Sequence, residues 1–316
     1  LDSILKPRIL HVGVYNVSEG QESLRMALEE ISSYYEEYSF EKNMHIAVDV
    51  FENCAGKFDV VFLQIQRQGV INVEVAKVLH RCGVKIYNFT GDVRQPIPKW
   101  YIDLAPYVTT LFTNNHDVHV FKKMGFDSHY FQIGYNEHYY NNEIPKLKTA
   151  PEIVFLGNNY NKTFPLGQFR KEMVDRLRKK YRGRFGVYGN GWGNGIPSLN
   201  HDQYTEGRVY RGCKIAINLS HFNLDQYSSD RMFRIMGCGA FCLTHKYIGI
   251  EKEFRDGIDV ATWKTLDELE KKIDYYLSHD DERNEIAKNG NIVCTTEFTW
   301  SARMKQLLEI WAGVLS

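Results

Sequence analysis

Residues 228–239 read Ser228-Ser229-Asp230-Arg231-Met232-Phe233-Arg234-Ile235-Met236-Gly237-Cys238-Gly239, a helix start with two arginines where a helix prefers negative charge. Ser228, Ser229 and Asp230 are N-cap residue types, and Gly237 and Gly239 close the helix after about two turns. Arg231 and Arg234, three apart, share one face of its opening. The macrodipole puts roughly half a positive charge at that end, so each guanidinium costs a few tenths of a kcal/mol unless an anion arrives. The chemistry on offer is the binding of phosphate oxygens. The competing reading is a solvated pair offset by Asp230 and neighbouring acids.

Other residues could join such a site. Gly157, Asn158, Asn159 and Tyr160 follow an apolar run, where a small residue admits a phosphate and amides donate to it, with Lys162 and Arg170 as nearby cations. A plain turn is the alternative. Tyr188, Gly189, Asn190, Gly191 and Trp192 form a glycine-rich bend that could flank a nucleobase, or a loop whose tryptophan packs inward. Asp92, in Thr90-Gly91-Asp92-Val93, is the best candidate for a base acting on an acceptor hydroxyl, and equally a turn aspartate. His11, Glu19, His116 and Glu137 are further acid/base candidates. His116 and His119 have metal-like spacing but no third ligand in view, so no metal site is expected. Eight basic residues lie between Arg170 and Arg184 against Glu172 and Asp175; this reads as a solvated helix face, with a groove for a phosphorylated or nucleic-acid acceptor as the rival.

The elements that must position these residues follow from periodicity. Apolar runs predict strands at 8–14, 45–50, 59–65, 84–89, 108–113 and 129–133, and helical patterns fall at 23–38, 72–82 and 116–124. A polar stretch with two prolines, 141–151, reads as a linker. The alternation then restarts, with strands at 152–156, 184–188, 214–219, 240–244 and 258–262, and helices at 167–181, 230–237, 266–278, 281–289 and 301–314. Repeated β-then-α order predicts α/β architecture with two Rossmann-like parallel-sheet domains facing a cleft, and open α/β sheets bind ligands at their strand C-terminal ends.

The composition agrees. A chain of 316 residues suits two α/β domains, and 39 basic against 39 acidic residues leave no global field for nucleic acid or membrane. Six cysteines without a CxxC pair read as reduced thiols, which points to a cytoplasmic setting. No run approaches the ~20 apolar residues of a membrane span, and the first residues lack a signal-peptide core.

The second half resembles the donor domain of GT-B-fold glycosyltransferases, closest to the CgeB-like (spore maturation protein) group of the glycosyltransferase family 1/4 superfamily. The resemblance rests on Val154-Phe155-Leu156-Gly157-Asn158-Asn159, Val187-Tyr188-Gly189-Asn190-Gly191-Trp192, Lys214-Ile215-Ala216-Ile217-Asn218-Leu219-Ser220, the run from Ser229 to Thr244, and a tail ending in Thr299-Trp300-Ser301. It is looser in the first half, resting on Gly91-Asp92-Val93-Arg94 and Ile133-Gly134-Tyr135-Asn136.

The resemblance implies an N-terminal acceptor-side domain over 1–147, a nucleotide-sugar donor domain over 148–300, and a final helix, 301–316, packing back on the first. It implies a glycosyltransferase that moves a sugar from a nucleoside-diphosphate sugar to an acceptor: a glycan, protein, small molecule or nucleic acid. Arg231 matches the family's phosphate-binding arginine and is expected to stabilise the leaving diphosphate. The Asp-x-Asp pairs that hold Mn²⁺ in the other major glycosyltransferase fold are absent, so no cofactor is expected. Arg234 departs from the family, which carries a ribose-binding Glu there; a guanidinium has donors only. A sugar-nucleotide epimerase on the same fold, or a non-catalytic nucleotide-sugar binder, are the rival functions.

Overall fold

The computed structural model describes residues 5–13, 21–39, 51, 53–64, 68–199 and 202–315. The strand expected at 45–50 and the candidate Glu19 lie outside them. Residues 1–134 with 300–316 form one compact unit, and residues 135–299 a second.

The first unit holds strands β1 (Arg8–Gly13), β2 (Tyr34–Ser39), β3 (Val60–Leu63), β4 (Lys85–Phe89), β5 (Thr109–Phe112) and β6 (Ser128–Tyr130). All pair in parallel, in the order β2-β1-β3-β4-β5-β6. Its helices are α1 (Glu22–Glu30), α2 (Val73–Arg81), α3 (Lys99–Leu104), α4 (Asn115–Lys123) and, from the far end of the chain, α10 (Trp300–Trp311). Leu24, Ala27 and Leu28 of α1 share one apolar cluster with Met304, Leu307 and Leu308 of α10. The helical pattern read at 23–38 is in fact α1 followed by β2. Its apolar spacing stops at Ile31, and β2, an edge strand of tyrosines and glutamates, has no buried residue to mark it.

The second unit holds β7 (Ile153–Leu156), β8 (Phe185–Tyr188), β9 (Ile215–Asn218), β10 (Cys242–His245) and β11 (Ala261–Trp263). These are also parallel, in the order β11-β10-β9-β7-β8. Its helices are α5 (Gly167–Lys180), α6 (Gln203–Gly212), α7 (Asp230–Gly237), α8 (Leu266–Ser278) and α9 (Asp280–Glu297). Strands β7 and β9 are buried along their whole length, the pattern of a parallel strand covered on both faces. Helix α9 runs past the expected end at 289. Gly290 sits inside it because a Cβ there would lie 2.3 Å from the Asp259 carbonyl oxygen.

The polar stretch at 141–151 belongs to this unit. Arg211 Nε donates to the Ile144 carbonyl at 3.2 Å, the Leu147 amide donates to the Arg208 carbonyl at 3.0 Å, and Tyr140 is fully buried. The two compact units divide at 134/135, ahead of the linker expected at 141–151.

In both units the strand following the first two lies on the opposite side of the first, so the order reverses between β1 and β3 and again between β7 and β9. Such reversal points open a crevice at the strand C-terminal ends. Beyond β7 and β8 the chain continues as two loops in close register. The Gly157 amide donates to the Tyr188 carbonyl at 2.8 Å and the Asn159 amide to the Asn190 carbonyl at 2.9 Å. Gly189, at φ +141°, makes this approach possible, since a Cβ would lie 2.4 Å from the Gly157 carbonyl oxygen. Gly189→Ala combines backbone strain with overpacking and is expected to destabilise the second unit by about 2–4 kcal/mol. Urea unfolding followed by circular dichroism measures this; a loss under about 1 kcal/mol would show that the two loops separate freely.

Candidate functional site

At the reversal point of the second unit the two sheet-facing guanidiniums meet one ring. Arg231, one residue into α7, lies with its guanidinium carbon 5.0 Å from the centroid of Phe155 on β7, and Arg170 of α5 lies 5.4 Å from the same centroid. Arg231 donates from Nε to the Leu156 carbonyl at the end of β7. Its Nη1 reaches Asn218 Oδ1 and the Leu219 carbonyl, each at 3.2 Å, and Ser229 Oγ at 3.1 Å. Arg170 donates from Nη1 to the Asn158 carbonyl at 3.1 Å and from Nη2 to the Leu219 carbonyl at 2.5 Å. Both side chains are buried and, among the described residues, neither meets a carboxylate.

Buried charge without a counter-charge is costly, and the cost is legible here. Burial, and then the charge of Arg231, pushes the Arg170 guanidinium well below its ordinary range. Its Nε is enclosed and has no acceptor. Arg231 Nη2 is left facing Gly157, where a Cβ would come within 2.6 Å of it. No side chain caps the first turn of α7: Ser229 is the N-cap residue, but its hydroxyl donates to Asn218 Oδ1 at 3.1 Å instead. Ser228 is buried and accepts from Asn218 Nδ2 at 3.2 Å.

The two arginines of the helix opening therefore have different surroundings. Arg234 pairs with Asp230 at 2.5 Å and with Glu206 of α6 at 3.3 Å, over the face of Tyr140, whose hydroxyl donates to Glu206 at 3.0 Å. Its charge is already matched, so it adds no unmatched cation. Glu206 carries no signal in the sequence, because its partners lie 28 and 66 residues away.

The loop residues are largely committed to one another. Asn158 Oδ1 accepts from the Asn190 amide at 2.8 Å, Asn158 Nδ2 donates to Tyr160 Oη at 3.0 Å, and Asn159 Nδ2 donates to the Gly191 carbonyl at 3.0 Å. Trp192 turns inward: it is buried against Phe155 and its indole N–H donates to the Gly157 carbonyl at 2.6 Å. This is the packing alternative for that tryptophan, not a free stacking face. Tyr188 is half-buried, Asn190 exposed, and Lys162 exposed beside Tyr160. The basic run on α5 is answered by α8: Arg176 pairs with Asp267 and Glu270, and Lys180 with Glu270 and Asp274.

His221, in the loop after β9, was not read from the sequence. It stands 2.8 Å from Arg170 Nη1 through Nε2 and packs against the rings of Tyr160 and Phe164. In the first unit Asp92 is exposed on a bend three residues past β4. His11 is buried at the β1/β3 reversal point, with Nδ1 2.9 Å from Tyr35 Oη and Nε2 2.8 Å from Gln64 Oε1. His116 and His119 are exposed on α4, and no group of three metal-ligating side chains occurs among the described residues. Glu137 lies near the start of the second unit, where its carbonyl accepts from Asn141 Nδ2 at 2.8 Å.

Two parallel sheets, each flanked by helices, make this the GT-B fold of two Rossmann-like domains. Residues 170–309 match the family model described as "Glycosyl transferase-like". Among solved structures the chain is similar to HepE from Anabaena in complex with UDP-glucose, with 12% identity, a TM-score of 0.63, and 97% of this chain and 100% of that chain covered. It is also similar to the catalytic domain of starch synthase IV from Arabidopsis thaliana bound to ADP and acarbose, with 10% identity, a TM-score of 0.65, and coverage of 98% and 99%. Sucrose-phosphate synthase from Thermosynechococcus elongatus shares 9% identity and a TM-score of 0.62 over 97% of this chain and 99% of its own. No curated protein matches the sequence. Among the described residues, no helix is long and apolar enough to cross a membrane.

Burial pushes His11 down to about 4, and burial with the charges of Arg170 and Arg231 pushes His221 down to about 3. The unfolded chain takes up these protons near pH 6.5, the folded chain only far below. The stability each neutral imidazole contributes is thus complete above about pH 6.5 and is lost as pH falls through the folded values. Histidine-resolved NMR titration should show both rings neutral from pH 8 to 5. A midpoint near 6.5 for either ring would overturn its assignment as buried and neutral.

Proposed function

We propose that the chain is a glycosyltransferase whose second unit binds a nucleoside-diphosphate sugar, with the diphosphate on the donors around Arg170 and Arg231. The observation that carries this reading is the pair of buried guanidiniums without a carboxylate at the β7/β9 reversal point. An anion with several oxygens, arriving at strand ends beside an uncapped helix opening, supplies what those groups lack. The glycosyltransferase-like match spans both arginines, and UDP-glucose and ADP in the similar structures are ligands of this chemical kind.

In the transfer, the bond from the sugar's anomeric carbon to the diphosphate breaks and one to an acceptor oxygen forms. The electron pair leaves with the diphosphate, where preorganised guanidiniums stabilise it most. With that charge met by side chains, we read the reaction as needing no metal. We assign the acceptor to the first unit and the hydroxyl's proton to Asp92, which is exposed at a strand C-terminal end. The run from Ser229 to Thr244 supports the CgeB-like group, and six free thiols fit a reducing, cytoplasmic setting.

A thermal-shift screen of UDP, GDP, ADP and dTDP and their sugars tests the donor site. The right nucleotide at 100 times its dissociation constant should add about 2.7 kcal/mol of stability. Arg231→Met should weaken its binding by about 1.5–3 kcal/mol, the scale of a charge-assisted hydrogen bond. No shift with any nucleotide would remove the reading. Asp92→Asn should lower the transfer rate about 10²–10⁴-fold with donor affinity unchanged; transfer at the wild-type rate would place the base elsewhere.

A further inference from the structure

We infer that His221 is a neutral hydrogen-bond donor, through Nδ1–H, to a phosphate oxygen of the bound diphosphate, and that Arg170 is the positioning residue that fixes its tautomer. The inference rests on the donor-site reading above and adds to it a contact that the helix opening alone does not suggest.

A guanidinium has five N–H donors and no acceptor. Because Arg170 Nη1 lies 2.8 Å from His221 Nε2, that ring nitrogen must be the acceptor and carry no proton. A neutral imidazole then holds its only N–H at Nδ1. This Nδ1 is enclosed, yet has no acceptor among the described residues. The ring packs against both Tyr160, with centroids 5.2 Å apart, and Phe164, at 4.5 Å, and the Arg170 contact fixes its Nε2 end. The charged and titratable groups around it are Arg170 on α5, Arg231 on α7 and Tyr160 in the loop after β7; both guanidiniums oppose a second proton on the ring.

The same small region holds two further unspent donors, Arg170 Nε and Arg231 Nη2. Three donor groups from three elements, with no unspent acceptor among them, match a guest that presents only oxygen lone pairs. A phosphate does so. A sugar hydroxyl presents a proton as well and would need an acceptor in return.

The test uses the positions of the two ring nitrogens. The amide of Asn sits where Nδ1 sits, and that of Gln where Nε2 sits. His221→Gln keeps an acceptor for Arg170 and loses the Nδ1 donor; His221→Asn does the reverse. With the nucleoside diphosphate that binds tightest among UDP, GDP, ADP and dTDP, calorimetry should show His221→Gln about 10- to 100-fold weaker and His221→Asn within about threefold of wild type. The opposite ranking would make His221 only a prop for Arg170, and equal effects of the two variants would also overturn the inference. A loss seen with the sugar nucleotide but not with the bare diphosphate would move the contact to the sugar and overturn the phosphate assignment. If the wild type binds none of the four, the donor reading itself fails. If it binds and His221→Gln is unchanged, only the role of His221 fails.

Discussion

Two guanidiniums against one phenyl ring form the constraint around which the second unit is organised. Each cation over Phe155 gains about 0.5–2 kcal/mol from the ring, and each charged hydrogen bond to a carbonyl about 1.5–3 kcal/mol. Together these can hold a desolvated guanidinium in place, because the effective cost of burying one ion is several kcal/mol. They do not cancel its charge. The carbonyls of Leu156 and Leu219 come from the ends of neighbouring strands, so the arginines are anchored to the sheet as well as to the loops beyond it. A site built this way is positioned by the same parallel pairing that builds the core.

Elsewhere in the unit, charge is matched with care. Arg176 and Lys180 face three acids of α8, Arg184 and Lys214 share Glu152, and Arg234 is held by Asp230 and Glu206. Exposed pairs of this kind contribute little stability. Among the described residues of the unit, the two buried guanidiniums without a carboxylate stand together, over Phe155. Arg231 and Arg234 show the contrast most clearly, since three residues on one helix separate a guanidinium with no carboxylate from one with two.

The parallel α/β rhythm and the second sheet were legible in the sequence because buried parallel strands are continuous apolar runs, and because α7 announces itself by its caps and glycines. Arg231 was legible for the same local reason. Arg170 was visible as a cation near the Gly157–Tyr160 loop and as one of a basic run, and His221 not at all, because what distinguishes them is a 2.8 Å contact across 51 residues. The glycines and asparagines after β7 and β8 were read as room for a ligand; most of that room is taken by the loops themselves, with Gly189 and Gly191 accommodating backbone and the asparagines tying it together. Trp192 carried the same ambiguity, and its direction is set by Phe155 and the Gly157 carbonyl, which no local pattern encodes. Strand β2 was hidden because an edge strand needs no apolar run.

With its imidazole pushed down to about 3 by burial and the two guanidiniums, the site has no histidine that titrates between pH 5 and 8. The charge of that ring toward a ligand is therefore constant over that range. A nucleoside diphosphate does change there, since a terminal phosphate loses its second proton near pH 6. The histidine then adds no pH dependence to affinity, and a diphosphate esterified to a sugar, which lacks that second ionisation, adds none either. The contrast follows from placing the histidine where burial and then two arginines oppose its protonation: the site keeps a donor that a cationic histidine would also supply, but frees it from the pH sensitivity that a histidine at its ordinary value would bring.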